Sequence, residues 1–84
     1  TAKYKLAEDI VVPKSQIPNL LEFVGRASEQ FQVPMPTYGH AGDGNLHVNF
    51  LWNEPSDAPR VHLAIEALFR EVVRLRGTLS GEHG

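Results

Sequence analysis

Polar and apolar residues alternate from Leu46 to Trp52, which is typical of a β-strand with one covered face. We expect the apolar side of this strand to pack on helices and the polar side to stay open. The covered set is Leu46, Val48 and Phe50, and the opposite set is His47, Asn49 and Leu51. The pattern therefore predicts that His47 and Asn49 lie side by side on one face.

The first part of the chain predicts a strand followed by a helix. The strand begins near Ala7 and is ended by Pro13. Ser15 is a candidate N-cap, and Pro18 falls in the first helical turn, where its missing N–H costs nothing. A helix is expected because apolar residues then recur every three or four positions. Its predicted buried stripe is Ile17, Leu20, Leu21, Val24, Ala27 and Phe31.

The last part of the chain predicts a second helix and the start of another strand. The helix is expected from about Ala58 to Arg76, with Ser56 or Asp57 as its cap and Gly77 at the C′ position. An extended segment begins at 78–80. The predicted buried stripe of this helix is Val61, Ala64, Ile65, Leu68, Val72 and Leu75.

A glycine-rich turn joins two strand-like runs in the middle of the chain. The first run is Thr37 to Ala41, and residues 42–45 contain an Asp-Gly pair, a strong hairpin signal. Three glycines are expected to allow positive φ and close backbone approach, namely Gly39, Gly42 and Gly44. The element order is strand, helix, strand, strand, helix, strand. It predicts an α+β fold, a ferredoxin-like sandwich with two helices on one face of an antiparallel sheet.

Composition narrows the possible functions. A chain of 84 residues makes one small domain, and such a domain buries only about 60% of its unfolded surface, so a partner would help to stabilise it. A net charge of −2 without a basic run argues against nucleic acid. Because there is no cysteine, thiolate metal sites and thiol catalysis are excluded. No run is long and apolar enough for a membrane span or a signal peptide, and we expect a cytoplasmic protein.

Two clusters carry candidate chemistry. His40 and His47 flank the hairpin turn, so their imidazoles could share one ion, and Glu82 would add a hard oxygen ligand if the final segment pairs back. Two imidazoles and a carboxylate are typical of an open catalytic metal site. His83 would point elsewhere in an extended segment, which leaves it free to act as a base.

Each of these residues also has a simpler interpretation. The histidine pair could be structural, and His83 could be an ordinary exposed terminal residue. Asp43 is first a turn residue and second a partner of a histidine. Asn49 is either an exposed amide or a substrate donor, and His62 is expected to be solvated. Because the last candidate ligands are among the final residues of the sequence, we expect the chain to be a piece of a longer protein.

Two separated motifs, in this order, identify a family resemblance. They are Gly39-His40-Ala41-Gly42-Asp43-Gly44-Asn45-Leu46-His47 and Gly77-Thr78-Leu79-Ser80-Gly81-Glu82-His83-Gly84. Together with residues 9–13 and 17–21, the two motifs closely resemble the C-terminal domain of FAD-linked oxidases of the vanillyl-alcohol oxidase type. The branch is the one that contains the glycolate oxidase FAD-binding subunit, D-lactate dehydrogenase and D-2-hydroxyglutarate dehydrogenase.

The resemblance implies a role for each matching residue. His40, His47 and Glu82 would bind a divalent metal, usually zinc. His83 would be the general base, and Asn49 would help to hold the substrate. The parent enzyme would oxidise a small D-2-hydroxy acid to a 2-oxo acid by hydride transfer to FAD, and the FAD would be bound by an N-terminal domain outside these 84 residues.

We therefore expect residues 1–84 to be a fragment of the C-terminal substrate and metal-binding domain of such an enzyme, inactive alone. The alternative is a non-catalytic ferredoxin-like metal-binding or oligomerisation module. A metallohydrolase half-site is a third possibility, although the lack of further acidic ligands weighs against it. Expected partners are the remainder of the parent chain, other oxidase subunits and, through unpaired sheet edges, further copies of the fragment.

Overall fold

A computed structural model describes residues 2–40 and 44–81, with only the backbone at 40, 80 and 81. A four-stranded sheet in the order β2-β3-β1-β4 is paired antiparallel throughout. The elements in chain order are β1 Tyr4–Val11, α1 Ile17–Phe31, β2 Thr37–His40, β3 Asn45–Trp52, α2 Ala58–Arg74 and β4 Thr78–Gly81. The α+β, ferredoxin-like prediction is confirmed. No helix in the described ranges is long and apolar enough to cross a membrane.

Both helices bury their apolar stripes against one face of the sheet. The fully covered side chains at the centre of this layer include Ile10, Leu20, Val48, Phe50 and Leu68. One stripe residue was predicted wrongly, since Leu21 is 46% exposed. It follows Leu20 directly and so lies about 100° around the helix from it, on the solvent side.

The central strand β1 is longer than predicted at its start. It pairs with β3 from Tyr4, opposite Trp52, to Val11, rather than beginning near Ala7. The Tyr4 and Trp52 rings stack at 5.6 Å, and this contact extends the pairing. The same strand places Glu8 on the helix-covered side, where it is fully buried.

Neither predicted N-cap side chain caps its helix. A short 3-10 turn at Lys14–Gln16 precedes α1, and Gln16 occupies the N-cap without a side-chain hydrogen bond, so the prediction for Ser15 is wrong. Asp57 does occupy the N-cap of α2, again without a capping bond. Its carboxylate instead pairs with Arg60 Nη1 at 3.1 Å.

The second helix ends two residues earlier than predicted, at Arg74. Arg76, with φ of 66°, takes the left-handed position that was expected for Gly77. The Gly77 N–H donates to Val72 O at 2.8 Å, which makes it the residue after C′ in a Schellman ending. Glycine is needed there for space, because a Cβ would lie 2.5 Å from Val11 O.

Of the hairpin glycines, Gly44 has both predicted properties and Gly39 has one of them. Gly44 has a φ of 70°, and a Cβ there would lie 2.4 Å from Val12 O. Gly39 approaches β3 closely, since its Cβ would lie 2.4 Å from Asn45 O, although its φ is not positive. The prediction for Gly42 falls outside the described residues.

Candidate functional site

On the open face of the sheet, opposite the face on which α1 and α2 pack, backbone pairing aligns four positions, one from each strand. Tyr38 of β2 pairs with His47 of β3, His47 pairs with Asp9 of β1, and Asp9 pairs with Ser80 of β4. We call these four positions the polar row. Tyr38 is 62% exposed, so this part of the open face is accessible.

Within the polar row, His47 and Asp9 are in direct contact. His47 Nδ1 meets Asp9 Oδ1, and the two side chains are 56% and 51% exposed. An exposed side-chain contact of this kind contributes only about 0–1 kcal/mol to stability, even between two charged groups. The fold therefore gains little from the contact, while the orientation of the imidazole ring is defined by it.

The contact decides which ring nitrogen His47 offers to a ligand. Because Nδ1 is turned towards Asp9, the donor atom left for a metal is Nε2. Metal-binding histidines commonly bind through one nitrogen while the other donates to a carboxylate. Nε2 is therefore the atom through which His47 could bind a metal.

Asn49 lies two residues beyond His47 on β3 and on the same face, as the alternation predicted. It pairs with Ala7, a small neighbour, and is half-buried. Its backbone N–H donates to Pro36 O at 2.9 Å, so the segment before β2 fixes this part of β3. The backbone of Asn49 is thus held two residues from His47, on the same face of the sheet.

His40 is the last residue of β2, and its backbone pairs with Asn45. His47 therefore lies diagonal to it, a relation in which Cα atoms are about 7–8 Å apart and long side chains meet. The side chain of His40 is outside the described residues. Convergence of the two imidazoles remains a prediction, and the register is compatible with it.

Glu82, His83 and Asp43 also lie outside the described residues. Strand β4 ends at Gly81, which pairs with Glu8. Within 2–39 and 44–79, where side chains are described, no three histidine, aspartate or glutamate side chains come together as a possible metal site. The three-ligand metal site accordingly remains a prediction, as does the role of His83 as a base.

Sequence reasoning missed Asp9 as a neighbour of His47. The period of two along Leu6, Glu8 and Ile10 was a usable signal, because it places Asp9 on the opposite face from Ile10. The pairing of β1 with β3 is a long-range property that the local pattern does not contain. His62 is exposed as predicted.

An open pocket of about 420 Å³ lies between Trp52 and Arg60, and none of its lining residues belongs to the polar row. The Arg60 guanidinium is already engaged through all three nitrogens. Nε donates to Phe31 O at 3.1 Å, Nη2 donates to Gln32 O at 3.2 Å, and Nη1 pairs with Asp57. Arg60 therefore ties the end of α1 to the start of α2, and we assign the pocket no chemistry.

Comparison with known proteins gives consistent matches over almost the whole chain. The family model described as FAD linked oxidases, C-terminal domain, matches residues 2–84. Glycolate oxidase subunit GlcD of Bacillus subtilis is 35% identical over 81 residues, which are 94% of this chain and 17% of that protein. D-lactate dehydrogenase of Archaeoglobus fulgidus is 34% identical over 76 residues, with 90% and 17% covered. The chain thus spans about a sixth of the length of these curated relatives.

Among solved structures, the de novo designed protein Foldit4 superposes with a TM-score of 0.56. The match covers 96% of this chain and 99% of the designed one, at 14% sequence identity. At that identity the likeness concerns the fold alone.

Proposed function

This chain belongs to the family of FAD linked oxidases through their C-terminal domain, and we propose that it forms the substrate and metal-binding part of a flavoenzyme. The proposed reaction oxidises a small D-2-hydroxy acid to a 2-oxo acid. The observation that carries this proposal is the placement of His47 and Asn49 side by side on the open sheet face. Relatives named glycolate oxidase subunit and D-lactate dehydrogenase support the choice of substrate class.

The residues proposed to hold a divalent metal are His40, His47 and Glu82. The donor set fits zinc, because zinc accepts two imidazoles and a carboxylate and then keeps a position open for substrate. The geometry at His47 fits as well, since Nε2 is the nitrogen turned away from Asp9. A bound metal would act as a Lewis acid on the hydroxyl and carboxylate oxygens of the hydroxy acid.

The oxidation removes a hydride from C2 of the hydroxy acid and a proton from the hydroxyl group on C2. The carbonyl of the 2-oxo acid forms between C2 and that oxygen. We assign the hydroxyl proton to His83, which acts as the general base. Asn49 donates a hydrogen bond that fixes the substrate over the sheet. FAD, held by a part of the protein outside these 84 residues, supplies the hydride acceptor.

The metal assignment is tested with the full-length protein that contains this chain. We expect His47→Ala, His40→Ala and Glu82→Gln each to abolish both metal content and turnover of D-lactate, glycolate and D-2-hydroxyglutarate. The matched control is His62→Ala, which removes an exposed imidazole from α2 and should change neither quantity. Unchanged metal content and turnover in the three ligand variants would refute the site.

The role of Asn49 is tested by kinetics on the same protein. A hydrogen bond to a charged group is worth about 1.5–3 kcal/mol, so Asn49→Ala is expected to lower kcat/KM by about 10–100-fold while metal content stays constant. A loss of metal together with activity would instead make Asn49 part of the metal site.

Two further proposals concern the surroundings of the enzyme. The remainder of the parent chain, other oxidase subunits or a second copy would cover the edges of the sheet, which β2 and β4 form. Sedimentation of the full-length protein and of the 84-residue chain separates these partners. The cytoplasm remains the predicted compartment, and cell fractionation tests it.

A further inference from the structure

We propose that Asp9 is a positioning residue of this site: its carboxylate holds the Nδ1–H of His47 and so dedicates Nε2 to metal binding. The inference rests on the proposed function, because it gives Asp9 its role through a metal ligand. Asp9 is absent from both motifs that carry the histidines and Glu82. It reaches the site only because β1 lies beside β3.

The proton of the contact is assigned by the chemistry of its two atoms. An ionised carboxylate oxygen only accepts hydrogen bonds, so the atom that meets it must be a donor. With Asp9 Oδ1 against His47 Nδ1, the neutral imidazole carries its proton on Nδ1. Its lone pair is then on Nε2, the atom that a metal requires.

The backbone explains why this carboxylate can orient a ring. Strand β1 is paired on both sides, with β3 across eight residue pairs and with β4 across four. Asp9 stands in the doubly paired part, opposite His47 on one side and Ser80 on the other. Its Cα therefore has less freedom than a residue on an edge strand or a loop would have.

Two other roles for Asp9 predict different results. A simple surface ion pair would contribute about 0–1 kcal/mol to stability and nothing to metal affinity. If Asp9 were a direct metal ligand, its negatively charged carboxylate oxygen would have to contact the ion. A positioning residue needs only an acceptor for the Nδ1 proton, which an amide oxygen also provides.

The test compares Asp9→Ala and Asp9→Asn in the full-length protein, with Zn²⁺ affinity measured by chelator competition. We expect Asp9→Ala to weaken binding by about 10–100-fold and Asp9→Asn to retain most of the affinity. The charge control is Glu54→Gln, which removes an exposed carboxylate in the loop after β3 and should bind Zn²⁺ as the wild type does. The urea midpoint of all three should stay close to that of the wild type.

A second readout needs no metal. The ring ¹⁵N chemical shifts of His47, measured in metal-free protein, should report the Nδ1–H tautomer in the wild type and a shift towards Nε2–H in Asp9→Ala. Wild-type affinity in Asp9→Ala, or an unchanged tautomer, would overturn the positioning role. Equal and complete loss in both Asp9 variants would overturn it in favour of a direct ligand. If the wild type binds no Zn²⁺, the proposed function fails, whereas the tautomer still decides whether Asp9 orients the ring.

Discussion

The two faces of the sheet treat adjacent carboxylates in opposite ways. Glu8 is fully buried beneath the helices, while the side chain of Asp9, the next residue, is 51% exposed on the open face. Alternation along a strand produces this difference within a single residue step. The covered face, on which α1 and α2 pack, holds the hydrophobic core, whereas the other face carries the contact between His47 and Asp9.

The largest expected effect tests whether stability resides in the covered face. Phe50→Ala removes a fully buried ring and should cost about 3–5 kcal/mol, a large part of the total stability of a small domain. Tyr38→Ala, its aromatic counterpart on the open face, should cost about 1 kcal/mol or less. Urea unfolding followed by circular dichroism measures both, and similar losses would contradict the division between the faces.

A smaller effect is expected where the hairpin enters β3. Gly44→Ala forces a side chain into a positive φ and against Val12 O, so we expect a loss of about 1–3 kcal/mol. Gly25→Ala is the matched control, because a Cβ there meets nothing within 4 Å. In the interior of α1 this change should raise the free energy of unfolding by about 0.4–1 kcal/mol. A stabilising Gly44→Ala would show that the hairpin backbone relaxes freely.

The smallest effect concerns the ion pair between Glu71 and Arg74 on α2. This pair lies in the helix layer and is compared with the contact between Asp9 and His47 on the open face. A hydrogen bond from Arg74 lowers the pKa of Glu71 below its ordinary value, more than its partial burial raises it. Since the folded pKa is the lower one, the pair stabilises the fold above the ordinary glutamate pKa, about 4.3. That contribution is lost as the pH falls through the folded pKa.

Glu71→Gln should therefore be slightly less stable than the wild type at pH 7, and the difference should vanish under acid. Urea titrations of both proteins at a series of pH values measure this convergence. Because Glu71 lies on α2 and pairs with Arg74, its substitution should leave the Zn²⁺ affinity of the full-length protein unchanged. A difference that grows towards low pH would contradict the assigned pKa direction.

Local periodicity predicted β3 well because the covered residues of that strand are all apolar. In β1 the apolar run 10–12 indicated the strand, whereas its start at Tyr4 depends on pairing with the distant strand β3, so the strand was predicted to begin too late. The left-handed residue after α2 is Arg76 rather than glycine. Glycine is needed at the next position, Gly77, because a side chain there would collide with Val11 O.

The candidate site also has one part that could be predicted from the sequence and one part that could not. The neighbourhood of His47 and Asn49 follows from one strand and could be predicted from the sequence. The contact between His47 and Asp9 depends on the strand order, in which β1 lies between β3 and β4. That order arises from packing between distant segments, so no short stretch of residues encodes it.

The tight junction after α2 has a consequence for how this family can vary in length. Gly77 leaves no room for a side chain between Val11 O and Val72, so the last helical turn sets the register of β4 against β1. A single inserted or deleted residue here would transfer every later side chain to the other face of the sheet. Length changes between related genes should therefore be rare at 75–77 and collect instead in the loop around 53–55, which joins β3 to α2 far from the polar row.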